Sequence, residues 1–205
     1  MRKTAIVLAI ACAAVSGLAH AADPHAHNSV IYFEAPQTEA DGAKAFSGNI
    51  VWSAAVKGGI PELVGKGRIE GRDVAISVAI DRNVDPALPA GLVFTIGLLP
   101  ASPGAAGAPT DFAELRDVMV TSNPLDDRAT RLIGVPARVS GGAFLFATSG
   151  ATADAETNAS LLQRAGWLQL DLKEAGGLPG QLLLRLTPDA QAALQQVLPP
   201  PLANQ

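Results

Sequence analysis

The sequence predicts an α+β domain: a largely antiparallel β-sheet with two helices, both in the C-terminal half, packed on one of its faces. Three observations carry this. Residues 49–99 fall into short segments of alternating apolar and polar side chains, the period of a half-buried strand. Gly-rich turns too short for a crossover join the first of these segments, so neighbours should pair antiparallel. Helical patterns are confined to two stretches after residue 150, and strands first with helices late is an α+β order.

Residues 22–48 are polar and irregular, and only 30–33 read as a strand, so this part is expected to be a flexible segment with one candidate edge strand. From Asn49 the texture changes. Ile50, Trp52, Ala54 and Val56 alternate with Val51, Ser53, Ala55 and Lys57, and Gly58-Gly59 with Pro61 supply a turn. Residues 63–70 follow as a more polar strand. Gly71-Arg72 then leads into the clearest strand of the chain, in which Val74, Ile76, Val78 and Ile80 point one way and Ala75, Ser77, Ala79 and Asp81 the other. After a polar loop, 92–99 is another strand. Residues 100–109 are too poor in large side chains to pack and read as a mobile loop.

Asp111 can cap a short helical turn over 112–115, with a strand over 118–121 and a second polar loop containing Asp126-Asp127. A hairpin is expected from 132–139 and 143–148 around Ser140-Gly141-Gly142, with Phe144 and Phe146 inward. The first helix should run over 153–165, its early Asp154 and Glu156 suiting the positive helix start, and Gly166 should end it. Its buried face should hold Ala155, Ala159, Leu161 and Leu162. Leu168, Leu170 and Leu172 mark a half-exposed strand, and 181–186 another. Thr187-Pro188-Asp189 is a strong helix start, followed by the stripe Ala190, Ala193, Leu194, Val197 and Leu198. Residues 49–198 thus form one domain, with 199–205 as a tail.

The first 21 residues carry the strongest functional information. Arg2 and Lys3 precede an apolar run, and Ala19-His20-Ala21 closes it with small residues at the positions a signal peptidase reads. This predicts a secretory signal peptide, too short for a membrane span, and a bacterial periplasmic location, with the extracellular medium as alternative. Cys12 is not preceded by the branched-aliphatic residue a lipidation site favours, so plain cleavage after Ala21 or Ala22 is expected. Cleavage would leave 184 of the 205 residues and remove the only cysteine. It would also reduce the 15 basic residues to 13 against 19 acidic ones, taking the net charge from −4 to −6. Such a charge disfavours nucleic acid and anionic membrane surfaces as partners. No later apolar run approaches the roughly 20 residues of a transmembrane helix.

Catalytic chemistry has little to build on. After cleavage the only histidines are His25 and His27 in Asp23-Pro24-His25-Ala26-His27. They are weak candidates for a metal clamp. Pro24 lacks the amide proton that an amino-terminal copper site would lose, and no zinc spacing is present, so a flexible tail is the favoured reading and no metal or cofactor is expected. There is no Gly-x-Ser-x-Gly elbow, no Ser-x-x-Lys and no glycine-rich phosphate loop. Paired carboxylates, Asp81 with Asp85 or Asp126 with Asp127, could serve a hydrolase. They read more simply as turn formers and surface charges. Asn158-Ala159-Ser160 matches a glycosylation sequon but falls within a helix.

The segment that stands out is Asp81-Arg82-Asn83-Val84-Asp85-Pro86-Ala87-Leu88-Pro89-Ala90, a dense polar loop between two strong strands. The structural reading has Asn83 and Asp85 satisfying backbone donors, with Arg82 paired to a carboxylate. The functional reading has Arg82 gripping an anionic ligand. Structure is favoured.

Arg82-Asn83-x-Asp85-x-x-Leu88-Pro89-Ala90, Leu132-Ile133-Gly134-Val135-Pro136 with Gly142-x-Phe144-Leu145, and Asn158-x-x-Leu161-Leu162-x-Arg164-x-x-Trp167 together carry a resemblance. Over residues 49–198 the chain resembles an uncharacterised domain at the C-terminal end of alphaproteobacterial envelope-associated proteins. Gly91-Leu92 and Pro179-Gly180-Gln181 stand where that pattern is polar or basic, so no role of those groups carries over. The resemblance implies no activity, cofactor or substrate. The expected function is a non-catalytic envelope module binding a protein or an envelope component. A small-ligand binder is the alternative, a carboxylate-dependent hydrolase the third, and an exposed edge strand would allow a homodimer.

Overall fold

Val74, Ile76, Val78 and Ile80 are buried along the whole of one strand, and the sheet extends to both sides of that stripe. A computed structural model describes residues 29–38, 42–102, 112–124 and 128–198. The expected signal peptide, His25, His27, Asp111, Asp126-Asp127, most of the 100–109 loop and the 199–205 tail lie outside the described residues.

The elements are β1 (Val30–Glu34), β2 (Lys44–Lys57), β3 (Ile60–Ile69), β4 (Val74–Arg82), β5 (Ala90–Pro100), β6 (Phe112–Thr121), β7 (Thr130–Arg131), β8 (Gly134–Ser140) and β9 (Ala143–Ser149). After these come α1 (Thr152–Arg164), β10 (Trp167–Glu174), β11 (Pro179–Arg185) and α2 (Pro188–Val197). All the strands join one antiparallel sheet in the order β7-β6-β10-β11-β1-β2-β3-β4-β5-β9-β8. The molecule is therefore mostly β, with two helices. Among the described residues no helix is long and apolar enough to cross a membrane.

The β2–β3–β4–β5 meander follows from alternation and short turns. Gly58 and Gly59 both adopt positive φ in the β2–β3 turn, where a side chain would be strained. The sheet curls until its ends meet. β7 and β8 are the two outermost strands, yet only Leu132 and Ile133 separate them in sequence. The Leu132 amide donates to Val118 O at 2.9 Å, and β6 approaches both β8 and β9. Asn158 of α1 secures this junction. Its Oδ1 accepts from the Ile133 amide at 2.8 Å and its Nδ2 donates to the Ile133 carbonyl at 2.9 Å, satisfying an almost fully buried side chain.

The inner face carries the core, which includes Ile50, Leu63, Phe94, Ile96, Phe146, Leu170 and Leu184. α2 lies against β2, β3 and β4 and adds Ala190, Ala193, Leu194 and Val197; α1 touches β9 and α2. Thr187 caps α2 as expected, its hydroxyl accepting from the Ala190 amide at 3.3 Å.

Several expectations need correction. β1 is no edge strand: it sits inside the sheet between β11 and β2, with Val30 and Tyr32 fully buried. Its polar flanks hide this, because its partner β11 lies about 150 residues away in sequence, beyond the reach of local pattern. The helical turn over 112–115 is instead the start of β6, because pairing with β10 extends the strand to Phe112, and the register shifts beside Leu115 let Phe112 and Leu115 both reach the core. Gly166 follows α1 without a left-handed turn. It is required by close approach, since a Cβ there would lie 2.9 Å from Ser122 O.

Candidate ligand groove

β1 points Tyr32 and Glu34 to the inner face at the end of the sheet where β3 turns into β4. In that turn Gly71 has φ 81° and Asp73 φ 49°, two left-handed positions that fold Arg72 back over the sheet. Glu174 closes β10 at the same end. Its amide donates to Leu178 O at 2.9 Å and its carbonyl accepts from Gly177 N at 2.8 Å, which fixes the hairpin that carries it. Gly180 makes room for the ring: a Cβ there would run into the Tyr32 phenol.

These residues form a connected network. Arg72 Nη1 donates to Glu34 Oε2 at 2.5 Å and to Glu174 Oε1 at 2.7 Å. The Tyr32 hydroxyl donates to the same Glu174 oxygen at 2.6 Å. The guanidinium lies 5.0 Å from the Tyr32 ring centre and 5.5 Å from that of Phe46, within cation–π range. Phe112 meets Tyr32 edge-on at 5.8 Å. The Arg72 and Glu34 side chains are each only 9% exposed and Glu174 16%, so both signs of charge are largely out of water. Lys44, directly across from Glu34, stands at 3.9 Å on the solvent side.

Burial, and next the hydrogen bond to Glu174, push the Tyr32 phenol far above its ordinary pKa. Tyr32 therefore stays protonated and serves as a donor. A shared carboxylate oxygen and a donating phenol make a stiff polar floor. Above it opens a groove of about 820 Å³, walled by Gln37, Phe46, Arg68, Glu70, Asp73 and Ala101.

The expected loop residues lie at the opposite end of β4. Arg82 Nε donates to Val197 O at 2.7 Å, and Nη2 to Leu198 O at 2.6 Å and Gln196 O at 3.1 Å. It caps the C-terminus of α2, where carbonyls lack helical partners and the helix dipole is negative. The carboxylate partner expected for it does not appear among the described residues. Asn83 Nδ2 donates to the carbonyls of Leu88 at 2.6 Å and Asp85 at 3.0 Å, and Asn83 Oδ1 accepts from the Asp85 amide at 3.0 Å. Asp85 Oδ1 accepts from the Ala87 amide at 2.9 Å. The loop is held by its own side chains, and neither Arg82 nor Asp85 lines the groove. Among the described residues no three His, Cys, Asp or Glu side chains gather to hold a metal ion.

Sequence reasoning missed all four members of the network. One signal was present: the single tyrosine of the chain, two residues before a glutamate in a strand pattern, puts both on one face. No family model, no curated protein and no solved structure matches the chain.

Proposed function

We propose that this protein is an exported, non-catalytic module of the bacterial envelope that holds a protein or another envelope component in the Arg72 groove. The observation that carries this reading is an open groove laid over a rigid, internally satisfied ionic floor. A catalytic site needs a group free to take a proton or attack, whereas here the phenol is held protonated and the guanidinium is bonded to two carboxylates. Fixed side chains at the base of a recess suit recognition, because little ordering entropy is lost on binding. The groove carries Glu34, Glu70, Asp73 and Glu174 against Arg68 and Arg72, so it favours a partner that presents basic side chains.

Residues 1–21 support a periplasmic location, and the resemblance to envelope-associated domains agrees with it. In this reading the two helices form one layer on the inner face and stiffen the sheet from the end opposite the groove. A small polar ligand is the second reading, favoured by the groove volume, which lies in the range of ligand pockets.

Site-specific photo-crosslinking in bacterial cells tests the proposal. A crosslinker at Gln37, on the groove wall, should yield a discrete adduct that weakens with Glu70→Lys, while one at Ser53 on the outer face of β2 should not. Equal adducts from both positions, or none from Gln37, would overturn it. A thermal shift with small polar compounds and no macromolecular adduct would favour the second reading.

A further inference from the structure

A second recess lies at the other end of the sheet, where α1 ends, β10 begins, β11 ends and α2 starts. It is about 510 Å³ and is lined by Arg164, Trp167, Arg185 and Gln191 among others. A smaller neighbour of about 330 Å³ shares Ser122, Arg164 and Ala165 with it and adds Arg128. No carboxylate lines either recess among the described residues. In a chain with more acidic than basic residues, that local balance is unexpected.

The local structure explains why these groups converge. Arg164 is the last residue of α1, and Trp167 is the first of β10, three residues beyond the helix end. Trp167 pairs directly with Arg185, so both project from the outer face of the sheet. The side chains of Arg164 and Arg185 make no hydrogen bond or ion pair among the described residues, unlike Arg72, Arg82 and Arg131. Gln191, on the first turns of α2, donates through Nε2 to the Ala165 carbonyl. That bond fixes the amide, and its Oε1 is buried with no donor among the described residues. The Gln191–Ala165 bond ties the start of α2 to the end of α1 and so sets the wall of the recess.

We propose that this corner binds an oxyanion carried on a hydroxylated ring, that is, an acidic saccharide. Arg164 and Arg185 receive the carboxylate or phosphate through charge-assisted hydrogen bonds. The Trp167 indole walls the apolar face of the sugar ring. This site is remote from the Arg72 groove and does not rest on the function proposed for it.

Calorimetry on the purified protein tests the inference with galacturonate, its trimer, glucose and inorganic phosphate as probes. Galacturonate should bind with a Kd of about 1 mM or tighter, and glucose and phosphate at least about tenfold more weakly. A trimer that binds tighter than the monomer would point to a polymer as the source, and equal affinities to a free sugar acid; both support the site. The Arg164→Ala/Arg185→Ala variant should lose galacturonate binding while its melting temperature shows it folded. Trp167→Ala should weaken galacturonate by about tenfold and leave phosphate unchanged. The inference fails if the wild type binds none of the probes or if the double variant binds as well as the wild type. It fails equally if phosphate alone matches galacturonate.

Discussion

Two arginines bracket β4, and the chain uses the same side chain at its two ends in different ways. Arg72 precedes the strand and meets two carboxylates and the Tyr32 ring; Arg82 ends it and meets three carbonyl oxygens at the C-terminal end of α2. At the first end the opposing charges are buried together. At the second, a guanidinium that keeps contact with water offsets the partial charges of a helix terminus. Removing the cation therefore strands two nearly buried carboxylates at one end and only unsatisfied carbonyls at the other. Buried ion pairs are weak evidence for net stability, but they are sensitive to loss of one partner.

The largest effect should follow Arg72→Ala, at about 3–5 kcal/mol of lost stability in urea unfolding. Arg82→Ala should cost less, about 1–2 kcal/mol, because water can reach the freed carbonyls of α2. Equal losses would break the contrast and show that capping α2 matters as much as neutralising the buried carboxylates. Arg72→Met combined with Glu34→Gln should recover part of the first loss, since it removes charge of both signs.

Tyr32→Phe sharpens the account of the first end. Loss of the hydroxyl bond to Glu174 should cost about 1–2 kcal/mol at neutral pH. The pH dependence has a definite sign. Folding raises the phenol pKa, so the stability due to Tyr32 is fully present below the unfolded value of about 10 and is lost as pH rises beyond it. Wild-type stability should therefore fall faster than that of Tyr32→Phe between about pH 9 and 11. Parallel curves from denaturant titrations at each pH would show that the phenol is not held protonated by the fold.

The same contrast explains what could be read from the sequence. The β4 stripe, the turns of the meander and the Thr187-Pro188 helix start were legible because each is set by residues within a few positions. Arg82 drew attention as part of a dense polar loop, and Asn83 and Asp85 do staple that loop locally. Its partners on α2 lie 115 and 116 positions away, so a carboxylate was expected where carbonyls stand. By local pattern Arg72 is only part of the Gly71-Arg72 turn that leads into β4. Its carboxylates lie 38 and 102 positions away, brought to it by the insertion of β1 beside β11. Nothing local to Gly71-Arg72-Asp73 distinguishes an arginine folded inward from one in water. Asn158 was likewise hidden: its helix was legible, but the Ile133 backbone it secures belongs to the closure of the sheet.

Asp81 supplies the smallest and most discriminating test, because it neighbours Arg82 but points to the opposite face of β4. There it stands directly across from Glu62 of β3, a like charge at a paired position. Half-burial raises its pKa above the ordinary carboxylate value, and the Lys57 charge only partly counters this. A carboxyl whose folded pKa is raised contributes stability below its unfolded pKa and loses it as pH rises. At neutral pH the ionised Asp81 is therefore a cost to the fold, the reverse of the role of Arg82 beside it. Asp81→Asn should raise stability at pH 7 by less than about 1 kcal/mol, the scale of a cross-strand like-charge pair after solvent screening. The gain should shrink as pH falls toward 3, where both side chains are neutral. Asp85→Asn should show no such gain, since its carboxylate already accepts from the Ala87 amide. If Asp81→Asn destabilises the protein instead, Lys57 must compensate the charge fully, and the outer face at this end would be as well matched as the inner one.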